Sequence, residues 1–213
     1  MDGRFWAVLA IIFVGFVGIM MFNNSREDKS SSVATAKASA NYYGKMDSPV
    51  TLTEFVDFQC EACYAYYPYV KQLKENYKDR VKFQVRNFPI TSGHQFALQA
   101  ARNAEAAARQ DKFWEMHDKI FEGQKMWEQS KDPQEYFDGY AKEIGLDMAK
   151  FKKDFTSSEV NAVINKDLED VRKLGGNGTP TFVLNGEVVE NTTPSLESLS
   201  KILDDALAKA NSQ

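Results

Sequence analysis

Residues 50–78 read VTLTEFVDFQCEACYAYYPYVKQLKENYK, and the pattern of this stretch decides the fold. Up to Phe58 it is rich in β-branched and aromatic residues, which predicts a strand of about seven residues. Beyond it, side chains recur at helical spacing on one stripe, namely Cys63, Tyr67, Val70 and Tyr77. Strand, tight turn and helix therefore follow one another, which places Cys60 at or near the N-terminus of the helix.

The segments that follow extend this unit into one small mixed α/β sheet. Residues 81–89, VKFQVRNFP, alternate apolar and polar side chains and predict a second strand, parallel to the first because a helix connects them. Helical patterns occupy residues 92–174. Residues 181–190, TFVLNGEVVE, predict a hairpin with a type I′ turn at Asn185-Gly186. A last amphipathic helix completes the order βαβ, helical block, ββα, within one domain at residues 42–213.

The N-terminal part of the chain has a different composition. Residues 5–22, FWAVLAIIFVGFVGIMMF, contain no charge and no proline. A helix of this length covers roughly 27 Å, enough to cross the hydrocarbon core of a bilayer. No small-residue cleavage site follows directly, which favours an uncleaved anchor at residues 1–22 over a cleaved signal peptide. Residues 23–41 are rich in Ser, Ala, Lys and Asn and predict a flexible linker.

Composition argues against several classes of protein. The net charge is −4 and no basic stripe occurs, which argues against nucleic acid as a partner. The chain has two cysteines, too few for a scaffold held together by disulfides. A structural zinc site would need further ligands, and His94 and His117 lack the required spacing, so we expect no metal and no cofactor. Both histidines are better interpreted as capping or core residues.

The spacing of Cys60 and Cys63 indicates redox chemistry. A thiolate, not a thiol, attacks a disulfide, so a redox cysteine needs surroundings that stabilise negative charge. A helix N-terminus supplies unpaired N–H groups and the positive end of the helix dipole, and Cys60 is positioned to receive both. Cys63, three residues later on the same helical face, can close an intramolecular disulfide as the less exposed, resolving thiol.

Three features together resemble the bacterial DsbA-like group of thioredoxin-fold proteins: EFVDFQCEACYAYYP at residues 54–68, GTPTF at residues 178–182, and the order of the elements. The resemblance implies that the helical block, about residues 92–174, is an insertion in the thioredoxin fold. It further implies that Pro180 is a cis-proline against the cysteine pair and that Pro68 kinks the first helix. Beside Cys60, the backbone of Thr179 could bind an extended substrate segment by strand addition.

Two acidic residues bear on the reactivity of the pair. Glu54 matches the buried acid that the family carries under its active site. Burial would raise its pKa and let it exchange protons with Cys63, whereas the alternative is an ordinary exposed glutamate on a strand. Glu61 departs from the family, whose strong oxidants have a histidine or proline between the cysteines. An anion at this position disfavours the Cys60 thiolate and leaves the strength of the oxidant open.

These observations favour an extracytoplasmic, single-pass membrane protein that donates its Cys60–Cys63 disulfide to newly exported or unfolded cysteine-containing proteins. The resemblance implies that a membrane quinone-linked thiol oxidase reoxidises the pair. One alternative keeps the fold but reverses the electron flow, giving a reductase or an isomerase that acts from the dithiol. A second alternative is a tethered binding protein or chaperone in which the cysteines have no redox role.

Overall fold

The computed structural model describes residues 37–190 and 192–212. The predicted anchor at residues 1–22 and residues 23–36 of the predicted linker lie outside the described residues. Within the described ranges, no helix is both long enough and apolar enough to cross a membrane. The residues from Lys37 onward form one compact unit.

The described part of the chain contains five strands and eight helices. The strands are β1 (Asn41–Gly44), β2 (Thr51–Val56), β3 (Lys82–Asn87), β4 (Thr181–Leu184) and β5 (Glu187–Val189). The helices are α1 (Glu61–Tyr77), α2 (Ala97–Ala108), α3 (Phe113–Glu122), α4 (Gln124–Trp127), α5 (Gln134–Glu143), α6 (Met148–Phe155), α7 (Ser158–Lys173) and α8 (Leu196–Asn211).

The strands form one mixed sheet in the order β1-β3-β2-β4-β5. Strands β2 and β3 are parallel, with α1 as the crossover between them, which confirms the predicted βαβ unit. Strand β4 pairs antiparallel with β2 and with β5. Asn185 (φ 51°) and Gly186 (φ 92°) both have the positive φ that a type I′ turn requires, as predicted. Strand β2 is therefore central, and the segment that leads to Cys60 leaves its carboxyl end.

The predicted linker, residues 23–41, extends too far toward the C-terminus. Residues 37–41 belong to the compact unit, and Ser39 and Asn41 are buried. Asn41 begins β1, a strand that the sequence did not predict and that pairs antiparallel with β3. The side chains of Ser39 and Asn41 bind the buried Glu105, and this contact explains why such polar residues are buried here.

The predicted helical block is confirmed as the run from α2 to α7, and it shares one apolar core with the end of β2. The fully buried side chains of this core include Met116, Ile120, Trp127, Phe137 and Phe151. Val56, Phe58 and Cys63 belong to the same core. A second core lies between the sheet, α1 and α8, around Leu73, Phe182, Leu199 and Leu203. The cysteine pair is therefore held between the sheet and the helical block.

Candidate active site

Cys60 is the N-cap residue of α1, as its spacing predicted. Its backbone is extended (φ −75°, ψ 127°), and the helix begins at Glu61. Its side chain is 8% exposed and that of Cys63 is 1% exposed, and both thiols are free. One thiol therefore reaches the surface at the positive end of a 17-residue helix, while the other is enclosed one turn further on.

The surroundings of Cys60 favour its thiolate and lower its pKa from 9.0 to about 5. The main cause is a hydrogen bond from the Cys63 thiol, which acts against the cost of burial. Thr179 and the backbone N–H groups of Cys63 and Ala62 also lower the pKa. At neutral pH the thiolate is therefore the main form of Cys60, which is the form that attacks a disulfide.

Cys63 shows the opposite behaviour. Burial, the hydrogen bond to Cys60 and the negative charges of Cys60 and Glu54 raise its pKa well above 9.0. Because Cys63 keeps its proton, it can donate the hydrogen bond that stabilises the Cys60 thiolate. The two sulfurs of the pair are thus prepared for different tasks: one is the more accessible nucleophile, and the other is a fully enclosed thiol.

The Thr179–Pro180 peptide bond is cis, as the resemblance implied, and it lies against the cysteine pair. The Sγ atom of Cys60 lies 3.5 Å from the carbonyl oxygen of Thr179. The Thr179 hydroxyl is buried and has no hydrogen-bond partner among the described residues. Residues that are 119 positions apart in the chain therefore meet at the reactive sulfur.

Glu54 is buried, 5% exposed, so the alternative of an exposed strand glutamate is wrong. Burial raises its pKa from 4.5 to about 8, and the positive charge of Lys74 acts in the opposite direction. Glu54 and Lys74 line one small cavity together with apolar side chains that include Trp114 and Phe182. The Nζ atom of Lys74 lies 3.8 Å from the centre of the Trp114 ring. A carboxyl group with a pKa near neutrality in this position can accept or donate a proton.

Sequence reasoning missed Asp57, which organises the turn before Cys60. Its carboxylate is fully buried; Oδ1 accepts a hydrogen bond from the backbone of Gln59 at 2.8 Å. Oδ2 accepts one from the backbone of Ile90 and lies 2.7 Å from Nδ1 of His94. The expectation that His94 is a capping or core residue is wrong, because its imidazole is 22% exposed and binds the buried Asp57 carboxylate next to the active site.

Gln124 was also missed, and it connects the helical block to the active-site turn. Its side chain is completely buried, and its Nε2 donates to the carbonyl oxygens of Phe58 at 2.8 Å and Cys60 at 3.3 Å. No pattern in the sequence pointed to it, because the residues it binds are more than 60 positions earlier in the chain.

The remaining residues singled out from the sequence lie at the margins of the site. His117 is a core residue, as expected, enclosed by aromatic rings that include Phe58 and Phe121. Pro68 lies inside α1, which continues to Tyr77. Within residues 37–190 and 192–212, no three His, Cys, Asp or Glu side chains are grouped as metal ligands would be.

The site contains a free thiol pair at the start of the helix that follows the central strand β2, and this pair faces a cis-proline. Such an arrangement defines a thiol–disulfide oxidoreductase of thioredoxin fold. Residues 37–205 match the family model described as Thioredoxin. The Probable disulfide bond formation protein D of Bacillus anthracis is 31% identical over 212 residues, which cover 97% of this chain and 95% of that protein. The chain therefore belongs to the thioredoxin family and is a DsbA-like thiol–disulfide oxidoreductase.

Solved structures agree with this assignment. The thiol-disulfide exchange protein alpha-DsbA2 of Wolbachia pipientis has 26% identity and a TM-score of 0.67, over 78% of this chain and 86% of that one. Oxidised BdbD of Bacillus subtilis has 25% identity and a TM-score of 0.66, over 78% of this chain and 92% of that one. These similarities confirm the thioredoxin-like α/β fold with its helical block that the sequence predicted.

Proposed function

We propose that this oxidoreductase is an oxidant that donates its Cys60–Cys63 disulfide to newly exported, cysteine-containing proteins on the extracytoplasmic side of the membrane. The observation that supports this direction is the lowered pKa of Cys60, about 5. A stabilised thiolate stabilises the reduced pair relative to the disulfide, and a disulfide with a stable reduced form is a strong oxidant.

The reaction runs through a mixed disulfide. A substrate thiolate attacks the Sγ atom of Cys60, forms a bond to it and releases Cys63 as the leaving thiolate. Because the pKa of Cys63 is raised, it takes up a proton, and Glu54 is the acid that supplies it. A second substrate thiolate then attacks the substrate sulfur of the mixed disulfide. The substrate leaves with a disulfide, and Cys60 leaves as a thiolate, a good leaving group because its pKa is low.

Thr179 and Pro180 are proposed as the docking edge for the substrate. The backbone of Thr179 lies 3.5 Å from the sulfur of Cys60, so an extended segment paired with it would present a cysteine at that sulfur. Pro180 has no backbone N–H, which keeps one hydrogen-bond donor away from the sulfur pair.

The N-terminal residues support the proposed location. The apolar run at residues 5–22 has the length of a membrane-spanning helix, and residues 23–36 would tether the catalytic unit beside the bilayer. A membrane quinone-linked thiol oxidase would then reoxidise the reduced pair. The two electrons removed from the substrate thiols would pass through Cys60 and Cys63 to the quinone.

A reductase or isomerase is the second candidate, and Glu61 is the residue that favours it. Its carboxylate lies in the first turn of α1, next to Cys60, where an anion disfavours the thiolate. Glu61 is exposed, however, so water and salt screen its charge. The groups that contact Cys60 from the buried side therefore have a larger effect on its pKa than Glu61 has, since the pKa of Cys60 is lowered.

The reduction potential of the Cys60–Cys63 pair tests the direction. The full-length protein, kept in detergent, would be equilibrated with glutathione buffers and the thiols counted by alkylation. We expect a value near −120 mV, as in a strong disulfide donor. A value near −270 mV would assign the protein to the reductases. A Cys63→Ser variant, which traps the mixed disulfide on Cys60, identifies the attacking sulfur, and a Cys60→Ser variant is its matched control.

A further inference from the structure

The loop between β3 and α2 is tied to the segment that precedes Cys60. The backbone N–H of Ile90 donates to Asp57 at 2.7 Å, and the backbone N–H of Phe96 donates to the side-chain oxygen of Gln59 at 2.7 Å. Between these two points, Nδ1 of His94 lies 2.7 Å from the same Asp57 carboxylate. Three hydrogen bonds therefore fix His94 beside the active-site turn.

His94 lies among negative charges. The Asp57 carboxylate that it binds is fully buried, while the imidazole itself is 22% exposed. Burial acts against protonation of His94, but the hydrogen bond and charge of Asp57, with the charges of Cys60 and Glu61, outweigh it and raise its pKa above 6.5. The groups that act on the ring thus come from the turn after β2 and from the start of α1.

We propose that protonated His94 is a positioning residue for the reactive thiol: it supplies the positive charge that stabilises the Cys60 thiolate. In this sequence, the residues between the cysteines are Glu61 and Ala62, and neither can supply that charge. Asp57 holds Nδ1 of the ring, so the imidazolium keeps a fixed place beside the helix N-terminus. Its field adds to that of the helix dipole and opposes the fields of the Asp57 and Glu61 carboxylates.

The proposal rests on Cys60 being the attacking thiol, as proposed above, but not on the direction of electron flow. Coupling between two charges is reciprocal: if His94 stabilises the thiolate, the thiolate must stabilise protonated His94 by the same amount. In the disulfide form, Cys60 carries no charge. The pKa of His94 must therefore be higher in the reduced protein than in the oxidised protein.

Nuclear magnetic resonance can measure this shift without any mutation, because the chain has only two histidines. Both imidazoles of the full-length protein would be titrated in the dithiol form and in the disulfide form. We expect the pKa of His94 to be about one unit higher in the dithiol form, a typical effect of a nearby opposite charge. The enclosed His117 serves as the internal control. Equal pKa values of His94 in the two forms would overturn the proposal.

Two substitutions provide an independent test. In His94→Gln, we expect the pKa of Cys60 to rise by about one unit, as measured from thiolate absorbance. Its disulfide should become about tenfold less oxidising toward glutathione, a change of about 30 mV. In His94→Lys, which restores the charge, both values should return toward wild type. Ser92→Ala, in the same loop and exposed, controls for disturbance of the loop.

The outcomes separate a charge effect from a structural one. If the Lys variant behaves like the Gln variant while both keep the near-ultraviolet circular dichroism of the wild type, His94 acts through packing and the proposal fails. If the wild-type reduction potential is that of a reductase, the proposal that the protein is an oxidant fails. The difference in the pKa of His94 between the two redox forms still decides the role of His94.

Discussion

Glu54 and Asp167 are both buried carboxylates, but their surroundings differ. Asp167 belongs to a polar cluster, defined here as Ser39, Asn41, Asn87, Glu105 and Asp167. It accepts hydrogen bonds from the backbone and hydroxyl of Ser39, from the backbone and side chain of Asn87, and from Arg86 at 2.8 Å. Glu54 instead shares a small cavity with apolar side chains and Lys74, and its pKa rises to about 8.

The difference indicates what each site is for. In the polar cluster, donors from separate parts of the chain meet the carboxylates, so the cluster fixes the fold. At Glu54 the fold leaves the carboxyl group without comparable donors, which makes its charge costly. A group of this kind changes its protonation state near neutral pH, as exchange of a proton with Cys63 requires. Four substitutions test this difference.

Removing Asp167 should have the largest effect. In Asp167→Ala, Arg86 loses its most buried partner, and the backbone N–H groups of Ser39 and Asn87 are left unpaired in the interior. We expect the free energy of unfolding to fall by about 3–5 kcal/mol, as measured by urea denaturation. Asp170→Asn is the matched control, because Asp170 also binds Arg86 but is partly exposed, and it should cost less than about 1 kcal/mol. Equal costs would show that the cluster is no more than a surface ion pair.

Replacing Glu54 should increase the stability of the protein near neutral pH instead of lowering it. The folded protein binds the Glu54 proton up to a pKa of about 8, whereas the unfolded chain releases it near 4.5. Wild-type stability is therefore lost as the pH rises from about 4.5 to about 8, and Glu54→Gln should not show this loss. We expect the stability of the variant relative to wild type to increase by about 3 kcal/mol between pH 5 and pH 8.

Thermal unfolding of both proteins across that pH range measures this difference, and the other titrating groups cancel in the comparison. The same variant should exchange disulfides more slowly, because Cys63 loses its proton donor. A constant difference in stability between pH 5 and pH 8 would contradict a raised pKa at Glu54.

Lys74 tests the electrostatics of the cavity with a smaller effect. Its positive charge lowers the pKa of Glu54, so Lys74→Met should raise that pKa further, by about one unit. The carboxyl band of Glu54 in the infrared spectrum, with Glu54→Gln as the blank, reports its protonation. If the pKa of Glu54 stays the same or falls, Lys74 has no electrostatic effect on it.

Ser39→Ala should have the smallest effect. The hydroxyl of Ser39 contacts both Glu105 and Asp167, and its removal leaves the other donors of the polar cluster in place. We expect a loss of about 1 kcal/mol in the free energy of unfolding, with an unchanged reduction potential. Ser92→Ala, an exposed serine, should cost nothing measurable in the same assay. A changed potential would connect the two acidic sites that we treat as independent.

The sequence predicts those features of the fold that depend on local signals. The βαβ unit, the hairpin at Asn185-Gly186 and the helical block follow from periodicity and turn residues. Strand β1 was missed, since NYYG is four residues long and is held by pairing with the distant β3. The polar cluster was missed for a similar reason, because Ser39 and Asp167 are 128 positions apart.

The same distinction between local signals and distant contacts applies to the residues of the candidate site. Cys60 and Cys63 follow from their spacing, and Glu54 follows from the resemblance to the DsbA-like group. Lys74 could have been found, because it lies on the buried stripe of α1 between Val70 and Tyr77. Asp57 and His94 meet across 37 positions, and no local pattern indicates that contact.

The hydrogen bonds of Gln124 to the carbonyls of Phe58 and Cys60 have a consequence for biosynthesis. The ribosome makes the cysteine pair first, then Gln124, which binds Cys60 from 64 positions later, and Thr179 later still. Until Thr179 has been made and has packed against it, Cys60 lacks one of the groups that lower its pKa, whereas the Cys63 thiol and the backbone N–H groups of Ala62 and Cys63 belong to its own helix. The full stabilisation of the Cys60 thiolate therefore depends on a segment 119 positions later in the chain.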